Sequence, residues 1–174
     1  MLTYNITKKR EKSLLQFFVL FLTLSIVLQL IVWRVHQHDM LATLIQETLT
    51  SWVEQAYLIF SNNITSQGNH LIHPETKRYL VVDAQCTALS LIATLVAAIL
   101  ATSHKITTKI VMIIIATILI QLENIVRIMH LFYEIRLPIN NFYFYHLYVW
   151  QFINFAYALV VFYILHTRFR HNKE

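Results

Sequence analysis

Cys86, Arg127 and His146 stand far apart in this chain, each at or near the end of an apolar run. Their side-chain types together suffice for acyl transfer. A thiol must lose its proton to attack a carbonyl, and a histidine can take that proton. A fixed guanidinium can steady the thiolate, or the oxyanion that develops on the attacked carbonyl. Cys86 is the only cysteine in 174 residues, so it can form no internal disulfide. Thiol–disulfide exchange, which needs a resolving thiol, is disfavoured for the same reason.

Nearby polar residues extend this set. Asp83 and Gln85 lead into Cys86, and Asp83 is a candidate to bind substrate or orient His146, with solvated loop polarity as the alternative. Glu123 and Asn124 precede Arg127 by one helical turn and share its face. A Glu123–Arg127 ion pair, or an Arg127 that snorkels to the headgroups, are the structural alternatives for the arginine. A histidine at a membrane boundary is commonly structural, so His146 acquires its significance from the other two residues. His70, His73 and His130, taken with His146, lack the ligand spacing of a metal or haem site, so neither a metal nor another cofactor is expected. Glu134 and Arg136 read as outer-loop charges. Phe142, Tyr143, Phe144, Tyr145, Tyr148 and Trp150 read as an interfacial aromatic belt.

The elements that must position these residues are membrane helices. Hydrophobic residues make up 57% of the chain, charged residues only 13%, and mean hydropathy is +0.54, the composition of an integral membrane protein. A hydrocarbon core of about 30 Å takes roughly 20 helical residues to cross. Runs near that length occur at Leu14–Trp33, Cys86–Thr102, Ile110–Phe132 and Leu147–Leu165, which predicts an all-α fold with four spans in one membrane domain covering 1–174. The first run follows a basic start but is long and lacks a small-x-small cleavage site, so it reads as an uncleaved anchor.

Lysine and arginine set the expected orientation. Lys8, Lys9, Arg10 and Lys12 precede the first run, Lys105 and Lys109 join the second to the third, and Arg168, Arg170 and Lys173 follow the fourth. Both termini are therefore expected in the cytoplasm of a multi-pass plasma (inner) membrane protein, with Cys86 on the outer face. Arg127, about 27 Å along its helix from Lys109, falls level with it. The net charge of +5 comes largely from these dispersed flanks, so nucleic acid is not an expected partner.

The outer segment 35–85 is too long for a simple connector. From Asp39, a candidate cap, apolar residues recur at helical spacing through Leu41, Leu44, Ile45, Leu49, Trp52, Val53, Tyr57 and Phe60, predicting an amphipathic helix at the outer face. His70–Ile72 and Tyr79–Val82, separated by a turn at Pro74, predict a small hairpin. Its second strand runs into Cys86, which would place the thiol at a helix N-terminus whose dipole favours a thiolate. Small residues along Cys86–Thr102, including Ala93 and Ala97, suit a helix packed at the centre of the bundle.

Three stretches resemble the exosortase/archaeosortase membrane transpeptidases: Asp83-Ala84-Gln85-Cys86-Thr87-Ala88-Leu89, Glu123-Asn124-Ile125-Val126-Arg127-Ile128, and His146-Leu147-Tyr148-Val149-Trp150. The likeness extends over roughly Gly68 to Phe162. In that family the cysteine is commonly followed by Ser/Thr-Gly, and here Ala88 stands at the glycine position. The resemblance implies Cys86 as nucleophile, Arg127 as stabilising cation and His146 as general base. It also implies a secreted protein substrate bearing a C-terminal motif, a transmembrane helix and a basic tail, cut through a thioester and passed to an acceptor that the sequence does not identify. Such a site would serve protein sorting to the cell envelope, with membrane lipid taking part in substrate recognition. From another class, the rival is a non-catalytic assembly or transport subunit in which Cys86, Arg127 and His146 are structural.

Overall fold

The computed structural model describes residues 2–135 and 139–171, so Arg136 and Lys173 lie outside the described residues. Helix α1, Leu2–Gln37, breaks at His38, whose extended backbone redirects the chain into α2, Asp39–Leu58. Asp39 is the first helical residue rather than the cap. The expected stripe divides along α2: Leu49, Val53 and Tyr57 are buried, while Leu41, Leu44 and Trp52 are exposed.

Three short strands follow, β1 Thr65–Gln67, β2 His70–Ile72 and β3 Tyr79–Val81, paired antiparallel in that order. The two expected strands are present, with β3 ending one residue earlier. The additional strand β1 is polar and shows no apolar alternation, so its sequence carries no strand signal. A two-residue turn with Gly68 at φ +59 folds β1 onto β2. From the other side α2 secures it: Glu54 accepts from the Ser66 backbone N–H at 3.0 Å and from its hydroxyl, while Asn69 donates to Gln46 Oε1 at 3.2 Å.

A 3₁₀ turn at Ala84–Thr87 leads to α3, Leu89–Ala101. Then come α4, Ile106–Glu134, the short α5, Ile139–Phe144, a π-helical turn at Tyr145–Val149, and α6, Trp150–His171. Among the described residues, three helical stretches are long and apolar enough to cross a membrane: Leu14–Gln37, Ile106–Glu134 and Phe142–Phe169. The second expected span, Cys86–Thr102, is shorter than its sequence suggests. With 13 residues, α3 rises only about 20 Å.

The reason lies in Asp83, whose carboxylate accepts from the backbone N–H groups of Gln85 and Cys86 and closes a separate turn ahead of the helix. Ala88 then adopts φ +57, and α3 begins only after it. Nevertheless α3 is central, packing against α1, α4 and α6 with Ala93 and Ala97 buried. Gln29 of α1 fastens it by donating to Ser90 O at 2.8 Å and Thr94 Oγ1 at 3.0 Å. One apolar cluster joins α2, the sheet and the C-terminal part of α4 through Val53, Leu71, Val82 and Phe132; a second fills the space between α3, α4 and α6 around Ile99, Met112, Ile120 and Val161.

Candidate active site

Cys86 lies in the Ala84–Thr87 turn and is buried in the first of these clusters. Contacts from three directions fix the turn. Asp83 Oδ1 accepts from Gln85 N at 2.9 Å and from Cys86 N at 3.1 Å. From α4, the fully buried Asn124 donates to Cys86 O at 2.7 Å, and Gln121 donates to Thr87 O at 3.3 Å. The Thr87 hydroxyl donates to Ala84 O at 2.8 Å and meets His36 Nε2, at the end of α1, at 3.3 Å. Side chains therefore satisfy carbonyls that a short, non-repeating turn would otherwise leave open.

The expected thiolate-favouring helix terminus is not present, because the turn and Ala88 separate Cys86 from the start of α3. Burial instead pushes the Cys86 thiol up from its ordinary 9.0 to about 11, and the nearby Asp83 carboxylate adds to the rise. A hydrogen bond from the Asp83 backbone to the Cys86 side chain and the positive charge of Arg127 oppose it without overcoming it.

His146 sits in the π-helical turn at Tyr145–Val149, a wide turn of a kind often found where a side chain must be aimed. Its ring stacks on Phe142 with centroids 5.7 Å apart, and its buried Nδ1 has no partner among the described residues. Cys86, Asp83 and His146 line one cavity of about 900 Å³, whose walls also include Lys77, Arg78 and β3.

Arg127 is turned inward and is only 3% exposed, so it does not snorkel. Asn154 of α6 stands between it and Glu123. With its amide placed to satisfy both ends, Asn154 Oδ1 accepts from Arg127 Nη1 at 3.3 Å and Nδ2 donates to Glu123 Oε1 at 2.7 Å and to Trp150 O at 3.0 Å. This bridge replaces a direct Glu123–Arg127 ion pair. Arg127 lines a second cavity of about 460 Å³ with Gln85, Gln151 and Asn154. The structure thus brings Cys86, His146 and Asp83 to one cavity and places Arg127 and Gln85 on another. Arg127 remains close enough to act electrostatically on both Cys86 and His146.

Two other expectations are corrected. Glu134 is not a loop charge: it is buried at the end of α4, 3.8 Å from His130 Nε2. Trp150 is not an exposed belt residue but is buried, and its indole N–H donates to His130 Nδ1 at 3.2 Å. His130 thus has a partner at one ring nitrogen and a carboxylate near the other. Asn154, Gln121 and His36 are supporting residues that sequence reading missed. For Asn154 a signal existed, since an amide in the apolar run Leu147–Leu165 is costly unless it is bonded.

No curated protein and no solved structure matches the chain. A family model does match: that of the transmembrane exosortases, over residues 8–165. This range takes in every residue that lines the two cavities and every residue around the Cys86 turn, and the chain therefore belongs to the transmembrane exosortase family.

Proposed function

We propose that this protein is a membrane-embedded cysteine transpeptidase or endopeptidase that cuts a C-terminal sorting signal of secreted proteins at the outer membrane face. The observation that carries this reading is the shared cavity of Cys86 and His146 in a chain of the exosortase family. Cys86 Sγ attacks the scissile carbonyl as His146 takes the thiol proton. The C–N bond then breaks, the leaving amine receives that proton, and a thioester remains on Cys86. An amine, hydroxyl or water then attacks the thioester, giving its proton to His146; the C–S bond breaks, and that proton returns to the sulfur to restore the thiol.

In this reading Arg127 stabilises the developing negative charge from behind the Cys86 turn, while Asn154 and Glu123 keep its guanidinium in place. Asp83 and Asn124 hold the turn so that the sulfur faces the cavity. The topology that goes with it has four crossings, including α3, with both termini in the cytoplasm and α2 along the outer interface. The substrate helix lies beside the spans, in lipid.

The burial of Cys86 is also what a packing role in a non-catalytic assembly or transport subunit would require. One comparison at equal membrane abundance separates the two readings. Cys86→Ala, Cys86→Ser, Arg127→Ala and His146→Ala should each accumulate uncut substrate, most completely with Cys86→Ala. Normal processing by Cys86→Ala would overturn the catalytic reading.

A further inference from the structure

The sheet order β1-β2-β3 leaves two edges, and the structure treats them differently. On β1 the outward N–H of Ser66 is taken by Glu54 of α2. On β3 the edge opens toward the cavity that holds Cys86 and His146, and Tyr79, Leu80 and Val81 all line that cavity.

The register decides which backbone groups point outward. Hydrogen bonds from His73 N to Arg78 O and from Val82 N to Asn69 O mark those pairs as the bonded ones. Because bonded and non-bonded pairs alternate in an antiparallel ladder, Leu71↔Leu80 is also bonded, and Leu80 turns its N–H and C=O toward β2. Tyr79 and Val81 therefore turn theirs away from the sheet. Among the described residues, no hydrogen bond engages either backbone on that side.

We infer that an extended segment of the peptide substrate docks on β3 as an added strand, pairing with the main chains of Tyr79 and Val81, so that its scissile carbonyl comes beside Cys86. This rests on the catalytic reading above. Only a main chain presents donors and acceptors at the spacing of two such residues, and the pairing is indifferent to most side chains. The strand that would receive it passes through Val82 and Asp83 directly into the nucleophile's turn, so register on β3 fixes position at the sulfur. Electrostatics points the same way: Lys77 and Arg78 line the cleft, while the carboxylate of its one acid, Asp83, already accepts from two backbone N–H groups, which favours peptide segments that are not cationic.

The probe is the uncut protein that accumulates in membranes carrying full-length Cys86→Ala, a variant without native thiols. Tyr79→Cys is added, and single cysteines are placed at successive positions through the cleavage segment of that protein. Oxidative cross-links should favour every second position, the period of a paired strand. Cross-links repeating every three to four positions, a lack of positional preference, or Tyr79→Cys dimers of the chain itself would each overturn the inference.

Separately, Val81→Pro with Cys86 intact removes one outward N–H and leaves the Leu71–Leu80 pair untouched. Processing should slow about tenfold at unchanged abundance, the effect of one lost hydrogen bond. An abundant Val81→Pro protein that cuts normally overturns the docking inference while leaving catalysis standing; if that variant fails to fold, the cross-links decide alone. Should Cys86→Ala accumulate no uncut protein, the catalytic reading fails first and takes this inference with it.

Discussion

Burial opposes formation of the Cys86 thiolate, and Asp83 opposes it further, so the proposed reaction at this sulfur needs a proton acceptor at the moment the acyl group arrives. His146 faces the same cavity and has a ring nitrogen without a partner among the described residues, which suits it to that role. The resting thiol is expected to be correspondingly unreactive. Moving the thiol from 9.0 to about 11 lowers its thiolate fraction near neutral pH about a hundredfold relative to a free cysteine. Since the thiolate is the reactive form, alkylation of Cys86 in the folded protein should quicken about tenfold per pH unit and level off only near pH 11. Iodoacetamide labelling of detergent-purified protein, read by mass spectrometry across pH 7 to 10, checks this. A plateau near pH 7 would mean an activated resting thiolate, contrary to the buried surroundings of Cys86. Cys86, Arg127 and His146 could all be singled out from residue type and position alone. Their environments could not, because desolvation and Coulomb effects depend on neighbours distant in the chain.

Ala88 marks the element where local sequence and local structure disagree. Its φ of +57 is a left-handed conformation that costs a residue with a Cβ roughly 1–2 kcal/mol, and the family commonly has glycine there. The conformation persists because Asp83, Asn124 and Gln121 hold the preceding turn and the packing of α3 fixes the backbone on its other side. Ala88→Gly removes the steric cost while adding some unfolded-chain freedom, so it should stabilise the fold by about 0.5–1 kcal/mol. Ala88→Val should destabilise it, since a β-branched residue fits this region worse. The midpoint of heat-induced aggregation in detergent should therefore order the three proteins Gly, Ala, Val from highest to lowest. The hairpin could be read from two short extended stretches on either side of Pro74, whereas β1 could not, because a turn and α2 impose it on three polar residues. Nor could the start of α3 be placed, since an apolar run shows where a helix is tolerated, not where a side-chain cap ends the turn before it.

At the scale of the whole molecule, topology turns on α3, with 13 residues between two stretches that are long and apolar enough to span. A crossing there puts both termini on one side; without it they lie on opposite sides. Lys105 and Lys109 just past its C-terminal end, with the capped turn just before its N-terminal end, favour a crossing with the lysines on the cytoplasmic side, in which tilt or local bilayer thinning makes up the length. In a Cys86→Ala background, Tyr79→Cys should react with an impermeant maleimide on intact cells, and Lys105→Cys only once the cytoplasmic side is opened. Labelling of both from one side would show that α3 does not cross.

The membrane character, the principal apolar helices, the helix and hairpin between the first two apolar runs, and the identity of the candidate reactive residues are all present in the sequence. These depend on hydropathy, periodicity and side-chain type, which are local properties. Tertiary structure alone decided that Asn154 stands between Glu123 and Arg127, and that Glu134 and Trp150 turn inward to His130. It likewise decided that Cys86 shares its cavity with His146 while Arg127 faces another, and that among the described residues β3 keeps a free edge where β1 does not. Each of these depends on how helices and strands distant in sequence pack together, and burial and hydrogen-bond partners take their values only from that packing.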